Sequence, residues 1–469
     1  MSLLKRIGGT PTSTATTVDN SNAKQTAPAP RLETTAGVAK TAASANSDRL
    51  LDVRGRVQRR LTEEVRDVNA TNPTRLRQQV DEILSTLLDA ENIILSRNER
   101  AQLTDSLMAD ITGFGPLETL LADDSVSEIM VNGPKKIYIE SKGRLTLSDV
   151  TFQDDEHAMR VLYRIVSPLG RRVDESSPMV DARLPNGSRV NAVIRPISLI
   201  GPVITIRKFS KKPLGPADLV RFGAVTQDMM DFLSACVRAR INTVVSGGTG
   251  SGKTTLLNVL SSFIPSDERL ITVENAAELQ LQQDHVISLE SRVANIEGKG
   301  EISINDLIIN CLRMRPERII VGECRGGETL AMLQAMNTGH EGSMTTLHAN
   351  TPRDAIARIE TMCLMSGLDL PLRAIREQVA SAIELIVQQA RLKDGSRRVL
   401  AISEVTGMEG DVVVLQDIFV FEQTGIDDSG KIVGSLRPTG VRPRFVDRFE
   451  SMNIYLPSNV FGSASERFY

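Results

Sequence analysis

The sequence predicts an α/β chain. A mostly parallel, helix-covered sheet fills its C-terminal half, an α+β domain precedes it, and a small helical bundle comes before that. Three observations predict this. From about Pro216 short apolar runs alternate with helical runs, the pattern of a parallel sheet covered on both faces. The glycine-rich loop "SGGTGSGKTT", Ser246 to Thr255, sits between the apolar run "INTVV" and the helical run "TTLLNVLSSF". Between about residues 113 and 212 apolar and polar residues alternate with turn signals, and upstream of that stretch lie apolar stripes of helical period.

The elements follow in chain order. Residues 1–47 are rich in Thr, Ala, Ser and Pro, with few large apolar side chains. Such a segment buries too little surface to offset its backbone entropy, so a disordered tail is expected. Residues 48–112 form the expected bundle. Leu50, Val53, Val57, Leu61 and Val65 make one stripe, and Leu76, Val80, Ile83 and Leu87 make a second, with Pro73 at the helix start. Ser96 and Glu99 have the spacing of a capping box that opens a third helix. Three amphipathic helices make either a self-packed bundle or a docking surface for a partner.

Residues 113–215 read as the α+β domain. "SEIMVNGPKKIYIESKGRLTLSD" has hairpin turns at Asn132-Gly133-Pro134 and Lys142-Gly143, and "HAMRVLYRIVSPLG" reads as a helix. "MVDARLPNGSRVNAVIRP" and "GPVITIRKFS" read as strands, with a turn at Asn186-Gly187 and a Pro/Gly-bearing joint at "KKPLGPADL". Residues 216–469 carry the strand candidates "NTVVSG", "RLITVE", "RIIVGE" and "GSMTTLHAN", with "DLIINCLRM" and "ETLAMLQAMNTG" as helices.

The bulk numbers narrow the function. A chain of 469 residues favours two to four domains. Aromatics are 3%, with no Trp, and the net charge is −3, which disfavours base-stacking platforms and a backbone-neutralising nucleic-acid binder. Cys236, Cys311, Cys324 and Cys363 show no C-x-x-C spacing, so neither a zinc ribbon nor a disulfide framework is indicated, and reduced thiols suit the cytosol. No window of about 18 apolar residues occurs, so no transmembrane helix is expected, and the N-terminus lacks the apolar core of a signal peptide.

Four motifs carry chemistry. Gly247-x-x-x-x-Gly252-Lys253-Thr254 matches the Walker A pattern, between a strand and a helix. Gly247, Gly248, Thr249, Gly250, Ser251 and Gly252 turn backbone N–H groups toward phosphates; Lys253 reaches the β/γ oxygens, Thr254 serves Mg²⁺, and Thr255 continues the helix start. In "RIIVGE" an apolar strand leads to Glu323, where a P-loop protein places an acid for metal or water; Gly322 stands where Asp is usual. "LITVENAAEL" ends a strand at Glu274, with Glu278 four residues on, an acid placed to orient attacking water or a capped helix start. In "GHEGSMTTLHAN", which also holds His340, His348 lies at a strand end beside Thr346 and Asn350, placed to sense a γ-phosphate; His157 and His285 read as ordinary surface or packing residues.

The order "GGTGSGKTT", "TVENAAELQL", "RMRPERIIVGECRGGE" and "GHEGSMTTLHANTPRDAIARIETM" resembles the secretion-ATPase superfamily of type II and type IV secretion systems and type IV pili. There these stretches are the Walker A, Asp box, atypical Walker B and His box. The likeness is greatest to the CpaF-like branch, the Tad pilus ATPases. It covers roughly residues 48 to 420, including "VSEIMVNGPKKIYIESKGRL" and "DARLPNGSRVNAVI".

The resemblance implies a C-terminal RecA-like P-loop ATPase domain, with ATP and Mg²⁺ as nucleotide and metal. It implies that Glu274 and Glu323 arrange water and metal, and that His348 reports the γ-phosphate. Arg183, Arg189 and Arg207 match N-terminal-domain arginines that family members place at the nucleotide, although on sequence alone each is equally a solvated strand residue. It implies a homo-hexamer driving a pilus or secretion machine through inner-membrane platform proteins, cytoplasmic and peripheral to that membrane, with no nucleic acid as partner. Asn275 departs from the pattern, since the Asp box usually carries a second acid there. A nucleic-acid translocase on the same core is the second reading. The absence of an N-K-x-D motif disfavours a GTPase.

Overall fold

The structure is a computed structural model that describes residues 56, 73–90, 93–141, 143–209, 213–294, 298–457 and 460–462. The tail expected over residues 1–47 and the stripe from Leu50 to Val65 lie outside the described residues. The chain divides into two compact units, one ending at Met108 and the other beginning at Ala109.

In the first unit, α1 (Pro73–Ala90) starts at the expected proline, and α2 (Arg97–Thr112) begins there and runs on past Met108. Ser96 and Glu99 form the reciprocal capping box: the Ser96 N–H donates to Glu99 Oε2 at 2.8 Å, and the Glu99 N–H to Ser96 Oγ at 3.2 Å. The buried row on α1 is Leu76, Val80, Leu84 and Leu88, while Ile83 and Leu87 are half-buried. A row of four-residue steps drifts about 40° per step around the helix, so the buried face turns from the expected stripe toward Leu84 and Leu88. Thr104 on α2 donates to Asp81 on α1 at 2.7 Å, and Arg77 pairs with Asp105 at 2.6 Å.

The second unit holds two sheets. α3 (Leu117–Ala122) leads into β1 (Val126–Asn132), β2 (Ile137–Ser141) and β3 (Arg144–Leu147). Next come α4 (Asp155–Val166), β4 (Met179–Arg183), β5 (Arg189–Val193) and β6 (Val203–Arg207). The sheet order is β3-β2-β1-β6-β5-β4, antiparallel wherever neighbours pair. Asn186-Gly187 makes the β4–β5 turn: Gly187 is at φ 88°, which only glycine adopts without strain, and the Ser188 N–H donates to Asn186 Oδ1. Alternate residues such as Ile129, Val131, Ile204 and Ile206 are buried with Val161, Leu162 and Ile165 of α4. His157, expected as a packing residue, is buried edge-on to Phe152 with a ring separation of 5.2 Å.

α5 (Pro216–Arg221) and α6 (Gln227–Arg238) follow, then β7 (Thr243–Gly247), α7 (Lys253–Ser261), β8 (Leu270–Glu274) and β9 (Val286–Glu290). After these come α8 (Ile304–Cys311), β10 (Arg318–Val321), α9 (Glu328–Asn337), β11 (Met344–Leu347), α10 (Pro352–Leu364) and α11 (Leu372–Ala382). β12 (Leu385–Arg391), β13 (Arg397–Glu409), β14 (Val412–Ile426), β15 (Ile432–Pro438) and α12 (Val446–Ser451) complete the described elements.

The nine strands run β15-β14-β13-β12-β7-β11-β10-β8-β9, parallel from β12 to β9 and antiparallel from β12 to β15. Every residue of β7, β8, β10 and β11 is buried, as strands covered on both faces must be. Val245 and Ile320 pack with α6 and α7 on one face; Val244, Ile319 and Val321 pack with α8, α9, α10 and α11 on the other. This is a RecA-like mixed α/β core. The antiparallel extension β13–β15 and the edge strand β9 are additions that the strand candidates did not include. Phe419 on β14 meets Phe232 on α6 at 5.3 Å, so the extension shares the main core.

Candidate active site

The parallel strands bring the four motifs to one edge. β7 ends at Gly247, β8 at Glu274, β10 two residues before Glu323, and β11 one residue before His348. In a parallel sheet all these ends are carboxyl ends, where open α/β sheets bind ligands. His340 lies before β11, on the opposite side of that strand from His348.

The phosphate loop is built by its neighbours as much as by its glycines. A Cβ at Gly247 would collide with the carbonyl of Gln389 on the adjacent β12. Gly250 at φ 70° and Gly252 at φ 97° take the left-handed conformation and turn the chain into α7. Arg397 on β13 donates from Nε to the Gly250 carbonyl at 2.9 Å. No sequence signal singled out Arg397; its place over the loop follows from a hairpin that closes long after the Walker A segment.

Lys253 is buried, and its Nζ donates to the Gly248 carbonyl at 3.1 Å. The same nitrogen lies 3.3 Å from His348 Nδ1. His348 Nε2 is 3.0 Å from Glu323 Oε1. Glu323 Oε2 takes a hydrogen bond from Arg325 Nη2 at 2.7 Å. Burial, and then the charge of Lys253, hold the His348 imidazolium pKa below its usual value. Lys253 Nζ is also 3.4 Å from His348 Nε2, so the ammonium sits against the ring between its two nitrogens, and Glu323 Oε1 stays buried without a hydrogen bond. Burial lowers the Lys253 pKa too, against the pull of Glu323.

Glu274 is buried, and burial pushes its pKa up to about 7, against the two backbone N–H groups that favour the anion. Its Oε1 accepts from the Glu278 N–H at 2.9 Å and the Leu279 N–H at 3.1 Å. The missing Walker B acid has a steric cause here. A Cβ at Gly322 would stand 2.8 Å from Glu274 Cγ, so the Glu274 side chain fills the space a residue at 322 would need. Asn275 accepts a hydrogen bond from Ser291 Oγ at 2.9 Å, which ties the unusual Asp-box residue to the end of β9.

The arginine trio divides. Arg189 and Arg207, with Phe209 and Leu214, line a cleft of about 240 Å³ whose other wall is Thr254, Thr255, Asn258, Glu278 and Gln280. In the cleft Arg189 pairs with Glu278, and Arg207 lies 3.7 Å from Glu128. Arg183 is absent from the cleft lining and binds Glu290 and the Ala277 carbonyl. Among the described residues no group of three or more His, Cys, Asp or Glu side chains is gathered for a metal, and no helix is long and apolar enough to cross a membrane.

A glycine loop between a buried strand and a helix, with acids and a histidine on the neighbouring strand ends, defines a P-loop protein on a RecA-like core. The family described as "Type II/IV secretion system protein" matches residues 110–409, and "Type II secretion system protein E, N-terminal domain" matches residues 50–112. A Mycobacterium tuberculosis (strain H37Rv) protein named for conjugal transfer is 36% identical over 312 residues, which are 65% of this chain and 88% of that protein. The type IV secretion system protein VirB11 of Bartonella henselae is 30% identical over 334 residues, covering 62% of this chain and 92% of the relative. The crystal structure of the VirB11 ATPase from Brucella suis, in complex with sulphate, aligns at 28% identity and TM-score 0.35, over 62% of this chain and 95% of that one. The chain belongs to the type II/IV secretion ATPase family and is an ATP-hydrolysing enzyme.

Proposed function

We propose that the protein is a ring-forming motor ATPase of the CpaF-like branch, and that it powers assembly of a Tad-type type IV pilus or a related secretion machine. The observation that supports this best is the cleft, where arginines of the first sheet face the start of α7 across the phosphate loop. Sheet and sheet must close on one nucleotide, which couples its chemistry to domain movement. The homo-hexamer, the inner-membrane platform partners and the peripheral cytoplasmic location rest on the family likeness.

In this reading the loop from Gly247 to Gly252 cradles the phosphates of ATP, Lys253 neutralises the β/γ oxygens, and Thr255 faces the cleft at the helix start. Arg189 and Arg207 supply positive charge to the transferring phosphoryl group. Glu323 orients the attacking water, and His348, held between Lys253 and Glu323, registers the γ-phosphate. Glu274 holds a second carboxylate beside the loop.

The donor set fits Mg²⁺ carried in with the nucleotide. That ion takes few protein oxygens and keeps waters, so Thr254, Glu274 and Glu323 would serve it without a protein cage, and Glu323 Oε1, buried without a hydrogen-bond partner, is an oxygen left for it or its water. When bound, it would supply charge neutralisation across the phosphates.

Steady-state ATP hydrolysis tests the reading. Lys253→Ala is expected to abolish turnover. Glu323→Gln is expected to keep nucleotide affinity while kcat falls by about 100-fold or more, within the range typical of a lost acid–base or water-orienting group. Wild-type-like turnover in either variant contradicts its assigned role.

A further inference from the structure

Arg183 carries more structure than a residue waiting for nucleotide requires. Its Nη1 lies 2.8 Å from Glu290 Oε2, its Nη2 donates to the Ala277 carbonyl at 2.6 Å, and its Nε donates to the Gly187 carbonyl at 3.2 Å. The same Glu290 oxygen accepts the Ala277 N–H at 3.0 Å. Both backbone polar groups of Ala277 are therefore held by one cross-domain ion pair. The next two N–H groups, of Glu278 and Leu279, are held by Glu274. Three successive residues thus connect the β4–β5 hairpin of the first sheet to the Glu274 carboxylate at the end of β8. The guanidinium's fork is matched to a carboxylate and a carbonyl at once, a fit that a lysine would not reproduce.

We propose that Arg183 and Glu290 form a closure latch: positioning residues that seat residues 277–279 when the first sheet approaches, and through them orient Glu274. Arg183 then acts through the backbone of Ala277, while Arg189 and Arg207 are the arginines that face nucleotide. Glu290, at the end of β9, becomes a determinant of turnover although it does not line the cleft. This rests on the reading of the site as an ATPase in which Glu274 serves hydrolysis.

The test uses the full chain with Glu290→Gln, Arg183→Lys and the double variant Arg183→Lys/Glu290→Gln. ATP hydrolysis gives kcat and KM, and a fluorescent ADP analogue gives nucleotide affinity. Glu290→Gln, which preserves shape, is expected to lower kcat about tenfold while affinity stays within about twofold, the signature of a misplaced group and not of a lost ligand contact. The double variant is expected to lose little more than the worse single variant, because both changes release the same hold on Ala277. An unchanged kcat in Glu290→Gln, or losses that multiply in the double variant, overturns the latch, the latter pointing to direct contact of Arg183 with nucleotide. Wild-type protein hydrolysing no faster than Lys253→Ala would overturn the ATPase reading, and the latch with it.

Discussion

Glu274 is the residue at which local chemistry is most finely poised. Its folded pKa of about 7 lies above the ordinary 4.5, because burial penalises the anion. Between those two values the folded protein keeps a proton that the unfolded chain has released. The stability gained by burying the neutral acid is therefore present below pH 4.5 and lost as pH rises to about 7. Glu274→Gln cannot ionise and keeps an oxygen for the two N–H groups. Without nucleotide, the variant should become more stable relative to wild type by roughly 3 kcal/mol across that window. Chemical denaturation of both proteins at several pH values measures this, and parallel curves would place the titration elsewhere. The sequence announced a carboxylate at this strand end but not its desolvation, which comes from strands that cover it from both sides.

At the scale of elements, the P-loop strand and helix, the Asp-box strand and the His-box strand were legible, because each is an apolar run closed by glycine or a polar cluster. The hairpins of the first sheet were legible for the same reason, through alternation and turn residues. What could not be read was pairing between distant segments. Gln389 of β12 against Gly247, Arg397 over Gly250, and Glu290 beneath Arg183 all depend on register across the sheet. The vacant Walker B position shows this well. In sequence Gly322 looks like a lost acid; in the fold it is the gap that admits Glu274. Gly322→Ala is expected to destabilise the protein by about 1–3 kcal/mol through overpacking, and to lower turnover by displacing Glu274. Thermal and denaturant melts, with ATPase assays on the same samples, check both halves; an unchanged midpoint would mean the pocket around Glu274 can yield.

For the whole molecule, the central relation is between the two sheets of the second unit. The cleft and the Arg183–Glu290 pair both need residues of each sheet, so the proposed site draws on both. Deletion of residues 1–46, the expected tail, should leave the ATPase rate unchanged; a fall in rate would give those residues a role in the enzyme. The proposed ring would extend the same logic to neighbouring chains, since a motor that closes domains against each other gains work only when closure is coordinated.

The most direct test is the ATPase rate measured against protein concentration, with size-resolved mass on the same samples, with and without DNA. The motor account predicts a specific activity that rises as a ring assembles and is indifferent to DNA. Full activity in the monomer, or strong stimulation by DNA, would contradict it.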